Sequence, residues 1–213
     1  MNLAFLDKIQ SELQKTPQSA RLVAVTKSFD LAQTKTLIEA GVVMIAENRV
    51  EQAMEKFPHL PKEIERHFIG RIQSKKIPKL VQWFDVIESV GSIEHLLKID
   101  HEAQKQNKKI RVLLQFNISN EFQKDGFNMN ECEKVQASLS DLHRVQVIGL
   151  MGMATDTDNQ DVIHSQFQKL RQLRDQFQKK FPTVCELSMG MSSDYQIALE
   201  EGATMVRLGT ALA

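Results

Sequence analysis

Arg21-Leu-Val-Ala-Val25, then Thr-Lys-Ser-Phe, then Asp30-Leu-Ala-Gln-Thr-Lys-Thr-Leu-Ile-Glu-Ala40 and Gly41, is the stretch whose reading decides the fold. A short β-branched run predicts a strand over 21–25. After a brief loop, Leu31, Leu37 and Ile38 fall on one side of a helix over 30–40, and Gly41 stands where a helical stop belongs. The order is strand, loop, helix, stop.

Outward from this unit the same order recurs. Val42 to Ala46 leads to a helix ending at Phe57, His67 to Gly70 to a helix over Ser74 to Val81, and Phe84 to Glu88 to a helix over Ser92 to Asn107. Ile110 to Phe116 is followed by a helix around Asn130 to Leu139, and Val145 to Leu150 by the long helix Asp158 to Lys180. There Ile163, Phe167, Leu170, Leu173 and Phe177 form one stripe. Cys185 to Ser188, a helix over Ser193 to Glu201, and Thr204 to Leu208 complete the series. Before it all, Leu6, Ile9 and Leu13 mark an extra amphipathic helix at the N-terminus. Ile38-Glu-Ala-Gly-Val-Val-Met-Ile45 also resembles Leu199-Glu-Glu-Gly-Ala-Thr-Met-Val206 in register. About eight strands alternating with helices imply parallel pairing through right-handed crossovers, hence an α/β fold, a single (β/α)8 TIM-type barrel. An open doubly wound sheet is the alternative. No Pro/Gly/Ser-rich linker divides the chain, so residues 1–213 are expected to form one domain.

With 27 basic and 27 acidic side chains the formal charge is zero, and the bulk electrostatics offer no argument for nucleic acid or an anionic membrane. The N-terminal stretch carries Asp7 and Glu12 and lacks a signal peptide's apolar core, and no apolar run approaches the roughly 18 residues of a membrane span. Cys132 and Cys185 lack a Cys-x-x-Cys spacing and are read as buried reduced thiols. A cytoplasmic protein is expected. The six histidines form no metal-ligand pattern, and no phosphate-binding glycine loop, dinucleotide turn or Gly-x-Ser-x-Gly elbow is present.

In a (β/α) barrel the working groups sit at the C-terminal ends of the strands. Lys27 stands just after the first strand, where it is either a solvated loop lysine or a functional amine. Ser188-Met-Gly-Met-Ser-Ser-Asp194 and Val206-Arg-Leu-Gly-Thr-Ala211 follow the last two strands. Their small residues and the expected helix start at Ser193 can form a phosphate cradle, although an N-cap at Ser192 and a turn at Gly209-Thr210 would read the same way. Arg207 lies within the last strand, either facing the cavity as a hydrogen-bond donor or snorkelling outward.

Taken together, Val23-Ala-Val-Thr-Lys27, Ala46-Glu-Asn-Arg-Val50, His67-Phe-Ile-Gly-Arg-Ile-Gln73, Gly149-Leu-Met-Gly-Met153, Leu187-Ser-Met-Gly-Met-Ser192 and Val206-Arg-Leu-Gly-Thr210 resemble, in order, the pyridoxal phosphate homeostasis protein family. The resemblance implies a barrel like the N-terminal domain of alanine racemase and pyridoxal 5′-phosphate (PLP) as cofactor. It implies an imine on Lys27, a phosphate held by Ser192, Gly209 and Thr210, and Arg207 facing the pyridine nitrogen, with Asn48 and Met151 near the ring. Departures from the family pattern are Arg66 in place of an aromatic, Ala46 in place of a glycine and Lys75 in place of an asparagine, all expected at the rim. The sequence stops at Ala213, before the Phe-Gly usual in the family.

Two functions compete. One is storage, buffering or delivery of PLP, with PLP-dependent apoenzymes as partners, by a monomer that binds neither nucleic acid nor membrane. The other is a PLP-dependent racemase of narrow activity. A two-base racemase needs a second proton-transfer group on the opposite face of the imine, which in alanine racemase comes from a further domain; the sole tyrosine here, Tyr195, lies in the helix after the phosphate loop. Arg207 at the ring nitrogen would keep that nitrogen unprotonated and weaken the electron sink. The expectation is a carrier rather than an enzyme.

Overall fold

The computed structural model describes residues 1–119, 121 and 125–213. Eight strands alternate with helices along the chain: β1 Arg21–Val25, β2 Met44–Glu47, β3 Glu65–Phe68, β4 Val86–Val90, β5 Ile110–Gln115, β6 Val145–Met151, β7 Glu186–Ser188 and β8 Met205–Leu208. The helices are α1 Leu3–Gln14, α2 Leu31–Glu39, α3 Val50–Lys56, α4 Ile77–Trp83, α5 Ile93–Lys105, α6 Cys132–Ser138, α7 Gln160–Lys180 and α8 Tyr195–Glu200. The strands are all parallel and pair in chain order, and β8 returns to pair with β1 through Val23↔Arg207 and Ala24↔Leu208. That last pairing closes the barrel and excludes the open sheet.

Period-two alternation divides each strand's side chains between two cores. Leu22 and Ala24 of β1, Ile45 of β2, Ile87 of β4 and Val206 and Leu208 of β8 face the helix layer. Val23, Val25, Met44, Ala46, Val86, Leu113, Met151 and Met205 fill the barrel. On α7 the stripe Ile163, Phe167, Leu170, Leu173 and Phe177 is buried, as its spacing predicts. Each such side chain contributes about 1.5–3 kcal/mol.

Local signals explain the element ends. Asp30 caps α2 by accepting from Gln33 N–H at 2.7 Å, while the Gln33 side chain accepts from Asp30 N–H at 2.9 Å, a reciprocal capping box. Gly41, at φ +91°, ends that helix in the left-handed region. The N-terminal helix is not peripheral. Asn2 N–H donates to the Leu212 carbonyl at 3.1 Å, Leu6, Ile9 and Leu13 are buried, and Phe5 meets Tyr195 of α8 edge-on at 6.4 Å. Helix α1 thus packs beside β1 and joins the helical ring, next to the 3-10 turn Thr210–Leu212 that follows β8.

Three expectations need correction. The helix expected from Ser193 begins at Tyr195, because Asp194 turns back to accept from Met191 N–H at 2.6 Å. Neither cysteine is buried: Cys132 is half-buried and Cys185 exposed, since both stand at the ends of elements rather than within an apolar stripe. Two of the family departures are not at the rim. Arg66 lies on β3 with its guanidinium 5.2 Å from the Phe57 ring centre, and Ala46 belongs to the barrel filling. No helix among the described residues is long and apolar enough to cross a membrane.

Candidate functional site

A cavity of about 610 Å³ opens at the C-terminal ends of the strands. Lys27 reaches it from the end of β1, Asn48 from β2, Met151 from β6, Ser192 from the loop after β7, and Arg207, Gly209 and Thr210 from β8 and the turn beyond. Closure of the barrel brings all seven sequence-predicted residues to one space. Ile69 and Met153 supply apolar wall.

The Lys27 ammonium has no hydrogen-bond or ion-pair partner among the described residues, whereas its backbone is held from below. Thr26 Oγ1 donates to buried Glu47 Oε1 at 2.7 Å, and Lys56 Nζ of α3 donates to both the Thr26 carbonyl at 2.7 Å and Glu47 Oε1 at 2.9 Å. Gln52 Nε2 donates to the Lys27 carbonyl at 3.3 Å. These contacts fix where the strand ends and leave the amine free, a suitable arrangement for attack on a carbonyl carbon.

Across the last two strand ends, the backbone N–H groups of Ser192, Ser193, Gly209 and Thr210 have no acceptor among the described residues. Four free donors stand beside the hydroxyl side chains of Ser192, Ser193 and Thr210, a set suited to receiving an anion. With α8 only six residues long, the loop amides rather than a helix dipole must supply the attraction. Gly70, at the end of β3, permits the other wall: a Cβ there would lie 2.1 Å from the Asn48 carbonyl oxygen, so only glycine lets the two strand ends approach.

Arg207 is 4% exposed. Its Nη1 donates to Ser188 Oγ at 2.6 Å and its Nη2 to the Gly152 carbonyl at 3.1 Å, leaving the other three of a guanidinium's five N–H groups uncommitted. Ser188 Oγ in turn donates to Glu88 Oε2 at 2.5 Å. Glu88 Oε1 faces His67 Nδ1 at 2.6 Å, His67 Nε2 faces Glu65 Oε1 at 2.6 Å, and Glu65 Oε2 pairs with Arg111 at 2.9 Å. Burial pulls the His67 pKa down, but hydrogen bonds to Glu65 and Glu88 and their charges outweigh it and raise it to about 9. The hydrogen bond from His67 holds Glu65 at about 2 against the opposing effect of burial. Burial pushes Glu88 up, yet the His67 contact, the charge of Arg207 and the Ser188 hydroxyl bring it net below the ordinary value. An alternating series of charges therefore runs through the barrel from Arg111 to Arg207.

Neither this series nor the Glu47–Lys56 clamp was anticipated from the residues, although His67 and Glu47 lie in quoted motifs. A signal was present: Glu88 interrupts the apolar run Val86-Ile-Glu-Ser-Val90, and Glu65 and His67 alternate on one face of a strand. What was missing was the link that joins them, since Ser188, a hundred residues from Glu88, supplies it from another strand.

Comparison with known proteins agrees with this fold. The family model for the N-terminal domain of alanine racemase matches residues 4–213. A pyridoxal phosphate homeostasis protein of Synechocystis is 36% identical over 212 residues, 98% of this chain and 97% of that protein. One from Vibrio alginolyticus is 32% identical over 203 residues, covering 93% of this chain and 87% of its own length. Among solved structures, PipY of Synechococcus elongatus PCC7942 without PLP superposes with a TM-score of 0.93 at 31% identity, covering 100% of this chain and 99% of that one. The same protein with PLP bound gives 0.89, covering 99% and 98%. An alanine racemase of Clostridium difficile 630, at 17% identity and a TM-score of 0.84, covers 99% of this chain but 56% of its own and shows the barrel fold alone. Matched along nearly its whole length by sequence and by structure, the chain belongs to the alanine racemase N-terminal domain family and, within it, to the pyridoxal phosphate homeostasis proteins.

Proposed function

We propose that the protein binds PLP in the strand-end cavity, as an imine on Lys27, and serves intracellular PLP homeostasis by storing, buffering or delivering the cofactor. The observation that carries this reading is the meeting of an unpaired lysine amine, four unused backbone N–H donors and a fixed guanidinium on one cavity of about 610 Å³. An aldehyde, a phosphate and a pyridine nitrogen ask for those three partners. Ser192, Gly209 and Thr210 would hold the phosphate, Arg207 the ring nitrogen, and Asn48 and Met151 the ring's edge and face. When bound, PLP supplies an electron sink; a guanidinium beside its ring nitrogen keeps that nitrogen unprotonated and the sink weak.

The carrier reading is supported further by the lining itself. Among the described residues around the cavity there is no carboxylate, imidazole, phenol or thiol to act as a second base. Tyr195 is buried against Phe5, outside the lining. The proposed setting is the cytoplasm, with residues 1–213 as one domain acting as a monomer and PLP-dependent apoenzymes as recipients.

Protein purified with PLP should show a visible absorption band that borohydride reduction removes. Lys27→Ala should abolish it while far-UV circular dichroism stays unchanged; a band retained in that variant, mapped to another lysine, overturns the assignment. Incubation of the loaded protein with L-amino acids in deuterated water should give no sustained α-proton exchange. Exchange at the roughly 1–10³ s⁻¹ typical of enzymes would favour the racemase.

A further inference from the structure

Arg207 poses a physical problem that its immediate contacts do not solve. A guanidinium with 4% exposure needs a counter-charge, yet the nearest carboxylate, Glu88, is 3.8 Å from Nη1 and does not grip it directly. Ser188 stands between them, accepting from Arg207 Nη1 and donating to Glu88 Oε2. A direct forked pair would use two guanidinium N–H groups and draw the plane down into the barrel. The relay uses one, and the Gly152 carbonyl takes another from the side. Two contacts, one from β7 and one from the residue just after β6, fix the guanidinium plane, and the other donors remain for whatever enters the cavity.

Glu88 is fully buried, and it is fixed in turn. Its second oxygen meets His67 Nδ1, so both oxygens have one donor each and the carboxylate has no freedom to swing toward Arg207. His67 is held by Glu65 from the other side, and Glu65 is anchored by Arg111. Buried charges of this kind add little stability over a well-packed apolar replacement. What they give here is orientation.

We propose that Ser188 and Glu88, with His67 behind them, are positioning residues that hold the Arg207 guanidinium aimed into the cavity at the cofactor's ring nitrogen. The proposal rests on the reading of the cavity as a PLP site, and its first test does not require the cofactor. In the cofactor-free protein, ¹⁵N spectra should resolve distinct Arg207 Nη signals because rotation about the Nε–Cζ bond is blocked. Ser188→Ala removes the link while leaving every charge in place, and should let those signals average. Glu88→Met, which removes the acceptor of that hydroxyl, should do the same, and Ser188→Thr, which keeps the hydroxyl, should restore the wild-type pattern.

With PLP added, Ser188→Ala should displace the visible band and weaken affinity about 10-fold, the effect of losing one hydrogen bond to a charged group. The thermal midpoint of the same variant reports any merely structural effect and should not track the spectral change across the three variants. Arg207 signals that stay distinct in Ser188→Ala and Glu88→Met overturn the proposal. So does a freed guanidinium with band and affinity unchanged. A wild-type protein that takes up no PLP overturns the functional reading alone, and the guanidinium signals still decide the positioning.

Discussion

Ser192 and Thr210 illustrate how much a single side chain is expected to contribute at this site. Both line the cavity beside unused backbone donors, so their hydroxyls would add charge-assisted hydrogen bonds to a phosphate without touching Lys27. One such bond is worth roughly 1.5–3 kcal/mol. Ser192→Ala is therefore expected to raise the PLP dissociation constant about 10-fold or more, measured by absorbance titration, and pyridoxal without phosphate should bind far more weakly than PLP. Equal affinities for the two forms would dispose of the anion nest. Gly70 makes a different kind of demand. Gly70→Ala puts a methyl 2.1 Å from the Asn48 carbonyl oxygen, against backbone that cannot step aside cheaply. It should displace the cavity wall and reduce both stability and PLP uptake, as thermal melts and the same titration would show.

At the scale of elements, Asp100 is the clearest case of a side chain organising backbone. It sits on α5, yet its Oδ1 accepts from the N–H groups of His143, Arg144 and Val145 at 3.0, 2.7 and 2.8 Å, while Oδ2 accepts from Gln104 at 2.7 Å. Burial pushes its pKa up, but these donors win and hold it below the usual value. The carboxylate sets where β6 begins and so, through the strand's length, where Met151 arrives at the cavity. Asp100→Ala leaves donors unmet at about 1–3 kcal/mol each, partly relieved by water, and should cost roughly 2–4 kcal/mol in denaturant unfolding. Asp100→Asn keeps an acceptor oxygen and should cost less. Equal losses in the two variants would mean that charge, not hydrogen bonding, is what matters there.

For the molecule as a whole, the charged series through the barrel makes stability depend on pH. His67, at about 9 when folded against an ordinary value of 6.5, contributes stability fully present below pH 6.5 and lost as pH rises through 9. Glu65, at about 2 against 4.5, contributes stability present above 4.5 and lost as pH falls through 2. The series is thus strongest between about pH 4.5 and 6.5, and its alkaline loss is on the order of 3 kcal/mol. Thermal midpoints should fall between pH 7 and 10, and the His67 ring nitrogens should titrate near 9 by NMR. A His67 midpoint close to 6.5 would show that the imidazole is not charged in the barrel at neutral pH.

The alternation of strands and helices was legible from sequence because its signals are local. Strand β1 was placed at its observed bounds, and α2 and the buried stripe of α7 follow from an N-cap, a glycine stop and a 3.6-residue period that neighbouring residues set among themselves. The positions of Lys27, Ser192 and Arg207 followed as well, since a parallel barrel carries every strand end to one face. What tertiary structure alone decided are the relations between strands. The start of α8 moved because Asp194 found Met191 N–H, and α1 took its place in the helical ring through contacts with β1 and α8. Above all, the sequence held Arg111, Glu65, His67, Glu88, Ser188 and Arg207 as separate polar residues on five strands. Glu65 and His67 are neighbours along β3, but only the closed sheet brings Glu88 of β4 to Ser188 of β7 and so joins the two halves of the series, and a charge's partner across a barrel is a matter of distance that no local pattern encodes.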